Sequence, residues 1–251
     1  MSDAELRHEL YEAAAQSPDE QAQFLSAVSG HRALALGEDF CGTGALSLAW
    51  ARLSPQHRAV ATDLDDEPLA LLRRRIEADT VTAVRGDVTD STTPADLIAA
   101  LNFSIGYFYD RPSLLRYLRA ARARLGAGGV FVCDLYGGAD QFALGESDME
   151  LRGGARYIWE QRDADPLTAR VTNAMHFVTA EGRHLRDAFV YDWRLWSAPE
   201  LRDAMLEAGF ASVDVYDRLG DARAADGSVE VLPIHGDELD ENYVIYLAAR
   251  A

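Results

Sequence analysis

From Arg32 to Asp134 the chain alternates short apolar runs with stretches of helical spacing, and this alternation leaves few folds open to it. The strand-like runs are Ala33–Leu36, Ala59–Ala61, Val81–Val84, Leu97–Leu101 and Val130–Cys133. Between them Ala45–Leu53, Pro68–Ala78 and Ser113–Leu125 place apolar residues at helical intervals. Short apolar strands with little polar alternation suit a parallel sheet covered by helices on both faces. Right-handed crossovers then put the loops that follow the strands along one edge, where ligands bind. The predicted class is α/β with a doubly wound sheet, whose core occupies 31–136.

The flanks read differently. Ala4–Ala15 predicts a helix, and Ser17-Pro18-Asp19-Glu20 predicts the start of a second, with Ser17 as cap and Gly30 as stop. Beyond Gly137, Tyr157–Arg162, Arg170–Thr179 and His184–Trp196 are aromatic, β-branched and separated by turn signals. They predict a three-stranded antiparallel meander, an insertion over 150–196 too small for its own core and leaning on the main sheet. Its exposed edges and aromatic faces suggest a homo-oligomer formed through the insertion. Ser197-Ala-Pro-Glu200 is a capping box, and Leu201, Ala204, Met205 and Ala208 share one face of the helix that follows. Strands Ser212–Tyr216 and Tyr243–Leu247 complete the segment 197–251. Between them Asp221–Glu241 carries seven acidic residues and one arginine, the pattern of a mobile, solvated loop. The whole of 1–251 reads as a single domain with an N-terminal helical segment over 1–30.

Charge narrows the function classes. The formal net charge is −17, and every basic residue is arginine. An acidic surface repels phosphate backbones, so nucleic acid is disfavoured as partner. The five arginines of Arg111–Arg124 read as a solvated helix face. Two cysteines, Cys41 and Cys133, sit in apolar stretches without metal or disulfide spacing, so no metal site is expected. The N-terminus lacks an apolar signal core, and no run approaches the ~18 apolar residues of a membrane span. A soluble, cytoplasmic protein is expected.

The chemistry concentrates in Leu34–Asp65. Leu34-Ala-Leu-Gly-Glu38-Asp39-Phe40-Cys41-Gly42-Thr43-Gly44 runs from a strand into a helix start, and its glycines permit tight turning close to a ligand. About twenty residues on, a second strand ends in Asp63, placed to accept hydrogen bonds from ribose hydroxyls. A dinucleotide fingerprint wants Gly or Ala three residues after Gly44, where Ser47 stands; a P-loop needs a lysine, and the chain has none. What remains fits S-adenosylmethionine, which carries no pyrophosphate.

These residues give the chain its resemblance to the class I S-adenosylmethionine-dependent methyltransferases, and most to bacterial small-molecule enzymes of that group. Glu38-x-x-Cys-Gly-Thr-Gly44 resembles the first motif of the family, with Phe40 in place of its first glycine. Arg85-Gly-Asp87-Val88 resembles the adenine-binding turn, Ala100-Leu-Asn-Phe-Ser104 the loop beside the methionine portion, and Leu125-Gly-Ala-Gly-Gly129 the turn into strand five. The resemblance implies a Rossmann-like sheet of seven strands with the antiparallel insertion after strand five. It implies S-adenosylmethionine as cofactor and S-adenosylhomocysteine as product. The implied cofactor residues are Tyr11, Glu38, Cys41, Gly42, Thr43, Gly44, Asp63, Leu64, Asp87, Val88, Asn102, Phe103 and Ser104.

Candidate acceptor residues lie on the strand-edge loops and the insertion: Tyr107, Tyr109, Tyr136, Asn173, His176, Tyr191 and Trp193. Asn102, Tyr136 and His176 are the catalytic candidates, with Asn102 placed beside the sulfonium by the resemblance. The expected reaction is methyl transfer to N or O of a small molecule. The alternatives are a non-catalytic cofactor-binding protein, which Phe40 would favour, and a nucleic-acid methyltransferase. The latter lacks the Pro-Pro or Pro-Cys chemistry at the fourth strand that base methylation uses.

Overall fold

The computed structural model describes residues 2–217, 219, 222–223, 229–235 and 239–251. Two helices lead, α1 (Asp3–Ala15) and α2 (Pro18–Val28). The core then alternates β1 (Ala35–Asp39), α3 (Ala45–Leu53), β2 (Arg58–Asp63), α4 (Asp66–Arg75), β3 (Val81–Arg85), β4 (Ala95–Ala100), α5 (Arg111–Arg124) and β5 (Leu125–Gly138). Short 3₁₀ turns at Val88–Asp90 and Ser104–Tyr107 follow β3 and β4. The insertion is β6 (Gly145–Glu150), β7 (Arg156–Asp165), β8 (Arg170–Val178) and β9 (His184–Arg194). The chain closes with α6 (Ala198–Glu207), β10 (Ser212–Tyr216), β11 (Ala222–Arg223), β12 (Val229–Glu230) and β13 (Asn242–Arg250).

The main sheet has seven strands in the order β10-β13-β5-β4-β1-β2-β3. It is parallel from β5 to β3, and only β13 runs antiparallel to its neighbours β5 and β10. Strand order reverses between β1 and β4, so the crevice for a ligand opens above those two strand ends. Alternation explains the layering: Leu97 and Ala99 of β4 join Val130 and Val132 of β5 beneath α2 and α3, while Ile98, Phe131 and Cys133 face α5 and α6. The four-stranded sheet β6-β7-β8-β9 packs its inner face, with Met175 and Phe177, against Leu10, Tyr11 and Ala14 of α1.

Several expectations change in detail. The insertion has four strands, not three, because Gly145–Glu150 pairs with β7 although all its residues are exposed. Ser17 makes no side-chain cap to α2; its backbone turns away from the capping conformation at φ −125°, ψ 69°. Strand β5 extends from the expected four residues to fourteen, since β13 pairs with it from Val130 to Gly138. Arg124 is buried rather than solvated. The insertion's aromatic face packs inward against α1, and its exposed edge strand β6 carries Glu146, Asp148 and Glu150. Much of Asp221–Glu241 lies outside the described residues; within it Val229 is buried, and the Ile234 amide donates to the Val215 carbonyl at 2.8 Å. Those parts are docked, in contrast to a loop solvated throughout. Cys41 and Cys133 are both buried and free, and no described helix is long and apolar enough to cross a membrane.

Candidate active site

Two spaces adjoin at the carboxyl edge of the sheet. The larger, a cleft of about 680 Å³, lies over the ends of β1 and β2. The smaller, a chamber of about 360 Å³, lies over β4, β5 and β13 beneath α1 and the insertion. Tyr11, Asn102, Tyr191 and Trp193 belong to the walls of both and form the passage between them.

The first loop of the cleft is shaped by three residues in left-handed conformation: Phe40 (φ 58°), Gly42 (φ 52°) and Gly44 (φ 64°). At Phe40 this costs about 1–2 kcal/mol for a side chain with Cβ. The ring recovers packing by nesting against Tyr107, Phe108 and Tyr117, with centroids 5.8–6.2 Å away. Phe40 therefore lines one wall of the cleft without blocking it. The glycines divide their labour: Gly42 borders the cleft, with no protein atom within 4 Å of where a Cβ would stand. Gly44 instead admits Leu72 of α4, which a Cβ would meet at 2.6 Å. It lines neither space, and its missing Cβ serves packing.

Carboxylates hold this edge together. Asp63, at the tip of β2, accepts the Gly42 amide at 2.7 Å and the Asp65 amide at 2.9 Å, locking the first loop to the second strand. It lines the cleft with lone pairs left for a ligand's hydroxyls. Asp87 caps its 3₁₀ turn by accepting the Thr89 amide at 2.8 Å and borders the cleft beside Val88 and Leu64. Glu38 lines neither space. It is turned into the core, accepting from the Ser47 amide at 2.9 Å and from the Ser47 hydroxyl, and burial, opposed by those bonds, pushes its carboxyl up to about 7. Ser47, which breaks the dinucleotide pattern, thus has a definite partner. Beneath the loop, Asp39 pairs with Arg124 at 2.8 Å and accepts the Tyr117 hydroxyl at 2.9 Å, all three fully enclosed.

The fourth-strand loop has an unusual backbone. Asn102 (φ 58°) and Phe103 (φ 61°) are consecutive left-handed residues, a double excursion that costs about 1–2 kcal/mol each without support. Asp134 at the end of β5 supplies the support: its carboxylate accepts the Asn102 amide at 2.9 Å and the Phe103 amide at 2.7 Å. Burial pushes the Asp134 carboxyl up to about 7, opposed by those amides. The Ser104 hydroxyl, buried beside the cleft, has no partner within the protein.

Of the sequence-derived cofactor residues, Tyr11, Cys41, Gly42, Thr43 and Asp63 line the cleft, as do Leu64, Asp87, Val88, Asn102 and Ser104. Phe103 lines the chamber, and Glu38 and Gly44 line neither. Among acceptor candidates, Tyr107 and Tyr109 reach the cleft, and Tyr191 and Trp193 reach both spaces. His176 does not: it stands on the outer face of β8, with Nε2 3.0 Å from Glu160 and Nδ1 accepting the Asp187 amide at 2.8 Å. Arg162 pairs with both Glu160 and Asp187, so a guanidinium already supplies the positive charge among these acids. Tyr136 and Asn173 sit behind the wall, the Asn173 amide donating to the Tyr136 hydroxyl at 3.2 Å and Tyr136 packing on Phe103 at 5.0 Å. Neither they nor His176 line either space. The sequence reading missed Asp134, Tyr157, Trp159, Met175 and Tyr246, all on the chamber wall. The alternation of Tyr157 and Trp159 along β7 was the available signal.

Residues 38–129 match the family model described as a methyltransferase domain. No curated protein matches the sequence. Solved structures with the same architecture include the CcbJ methyltransferase from Streptomyces caelestis, at 18% identity over 93% of this chain and 89% of that one, TM-score 0.69. An S-adenosylmethionine-dependent methyltransferase from Clostridium acetobutylicum matches at 18% identity, covering 97% and 96%, TM-score 0.70. CalS10, an amino pentose methyltransferase from Micromonospora echinaspora, matches at 19% identity, covering 98% and 97%, TM-score 0.69. The chain has the fold of the class I S-adenosylmethionine-dependent methyltransferases, and residues 38–129 match a methyltransferase domain.

Proposed function

We propose that the protein transfers the methyl group of S-adenosylmethionine to an N or O atom of a small molecule, with the cofactor in the cleft and the acceptor in the chamber. The observation that carries this is the pair of spaces sharing the passage at Tyr11, Asn102, Tyr191 and Trp193. The cleft suits the cofactor chemically. Asp63 offers a carboxylate to a ribose, Gly42 leaves open space beside it, and the buried Ser104 hydroxyl is unpartnered. Only His8 and Arg116 bring basic side chains to the lining, and they belong to separate helices rather than to a phosphate cradle. When bound, S-adenosylmethionine supplies a methyl group made electrophilic by its positive sulfur.

The chain's own part is orientation and exclusion of water. Asp134 fixes the Asn102–Phe103 turn at the passage, and α1 covers it, tied to α4 by His8–Glu67 at 3.0 Å and to the insertion by Arg183–Asp3 at 2.7 Å. The chamber's size favours a small acceptor, and the net charge of −17 disfavours a polynucleotide. A nitrogen acceptor is the preferred form, in keeping with CalS10, an amino pentose methyltransferase of the same fold. Calorimetric titration with S-adenosylmethionine and with NAD, followed by a screen of small acceptors with labelled methyl donor, tests the reading. Binding of NAD in place of S-adenosylmethionine would overturn it.

A further inference from the structure

The chamber's chemistry says more about the acceptor than its volume does. Half of its lining residues are aromatic: Tyr11 from α1, Phe103 from the fourth-strand loop, Tyr157 and Trp159 from β7, Tyr191 and Trp193 from β9, and Tyr246 from β13. Asp134 is the only charged side chain on its walls among the described residues. That carboxylate is fully enclosed, and each of its oxygens accepts one backbone amide, so each keeps a lone pair. Its charge reaches across the space: after burial, Asp134 is the next cause holding the Tyr246 phenol above its ordinary range.

We propose that the chamber binds an apolar amine, primary or secondary, as its ammonium ion, with Asp134 as counter-charge and the Tyr157, Trp159, Tyr191 and Trp193 rings enclosing its cationic and hydrocarbon parts. The rings are arranged as a wall, Tyr191 stacked on Trp193 at 4.5 Å and Trp159 6.0 Å from Trp193. Ring faces attract cations, and enclosure from water strengthens that attraction. A buried carboxylate surrounded by apolar surface is costly without a positive partner, and an ammonium ion supplies one. The nitrogen accepts a methyl group only through its lone pair, so Asp134 takes up one ammonium proton before transfer. Polyhydroxylated amines fit less well. Apart from phenols, the Trp159 and Trp193 indole N–H groups and Asp134 itself, the wall offers among the described residues only the Gln21 and Asn102 side chains to hydroxyl groups, too few to replace the hydrogen bonds a polyhydroxylated amine makes to water. No basic residue lines the chamber among the described residues, so an acceptor carrying phosphate is not accommodated.

The inference rests on reading the chamber as the acceptor site, and a binding experiment separates the two. Phenethylamine, phenethyl alcohol and glucosamine are titrated calorimetrically into the protein at neutral pH, with and without saturating S-adenosylhomocysteine. The expected order places phenethylamine about tenfold or more tighter than phenethyl alcohol, with glucosamine weakest. Asp134→Asn is expected to abolish the preference for amine over alcohol. Because that change also touches the Asn102–Phe103 turn, Trp159→Leu on the insertion serves as the second variant, weakening the amine by about tenfold and the alcohol less. Equal binding of amine and alcohol, tighter binding of glucosamine, or no binding of phenethylamine by protein that holds S-adenosylhomocysteine would overturn the inference and leave the methyl-transfer reading standing. Failure of S-adenosylhomocysteine itself to bind would defeat that reading instead, while amine selectivity without the cofactor would still support the chamber's assignment.

Discussion

The two glycines of the first loop look equivalent in the sequence and carry different loads in the structure, which makes them a sharp test. Gly44→Ala puts a Cβ at φ 64° and 2.6 Å from Leu72 Cδ2, with the second methyl at 2.7 Å and Cγ at 3.1 Å. The left-handed backbone costs about 1–2 kcal/mol, and the overpacking adds about 1–3 kcal/mol because Leu72 is wholly buried and has nowhere to go. Gly42→Ala carries the same conformational penalty of about 1–2 kcal/mol but meets no protein atom within 4 Å. Its methyl projects beside the cleft instead. Urea unfolding should therefore rank Gly44→Ala as the more destabilising by about 1–3 kcal/mol, while calorimetry with S-adenosylhomocysteine should rank Gly42→Ala as the more damaging to binding, by about tenfold. A Leu72→Ala change in the Gly44→Ala background should recover part of the loss, giving a coupling of about 0.5–3 kcal/mol between the two sites. Equal unfolding free energies for the two single variants, or strict additivity of Gly44→Ala with Leu72→Ala, would refute the assignment of Gly44 to packing.

Four further outcomes are expected. Asp63→Ala should weaken cofactor affinity by about 1–3 kcal/mol through lost charge-assisted hydrogen bonds, and unchanged calorimetric affinity would place the ribose elsewhere. Arg124→Met should lower the unfolding free energy by about 3–5 kcal/mol by leaving the buried Asp39 carboxylate unpaired, and an Asp39→Asn/Arg124→Met double variant should regain part of it. Glu38 and Asp134, both held at about 7 by burial, take up protons more readily folded than unfolded. The stability they contribute is present below about pH 4 and is lost as pH rises through about 7, so Glu38→Gln should flatten that decline in denaturation curves across the range. Asn102→Ala should lower kcat more than S-adenosylhomocysteine affinity, and equal losses would remove Asn102 from the passage's function.

What could be read from the chain followed from periodicity and from backbone need. The central strands β1, β4 and β5 were visible because they are largely buried on both faces, and the Gly42–Asp63 relation because a left-handed loop beside a strand-end carboxylate leaves a mark in residue type. Strand β6 left none: an edge strand with every residue exposed has no apolar period. His176 was misplaced for a different reason. Its neighbours Met175 and Phe177 are apolar and inward, but a strand alternates, so inward neighbours put His176 on the opposite face. Arg124 is the helical counterpart. It follows Leu114, Tyr117, Leu118 and Ala121 at helical spacing, on the face they bury, and charge alone made it look solvated. Asp134 was hidden because its role depends on a turn thirty-two residues earlier in the chain.

The two halves of the site also differ in how tightly the fold constrains them. On the cofactor side the loops are shaped by carboxylates bonded to backbone amides: the half-buried Asp63 to Gly42, and the buried Glu38 to Ser47 and Asp134 to Asn102 and Phe103. A substitution there disturbs the sheet edge itself. On the other side the walls include side chains of α1, β7 and β9, elements that lean on the sheet without contributing strands to it. The backbone ladder of β7, β8 and β9 does not itself require Tyr157, Trp159 or Tyr191, although all three also pack on the insertion's core. One sheet edge can therefore keep its methyl donor while the insertion changes what receives the methyl group. On the proposed reading, specificity in this chain resides in the insertion's aromatic rings together with Asp134, which the main sheet contributes.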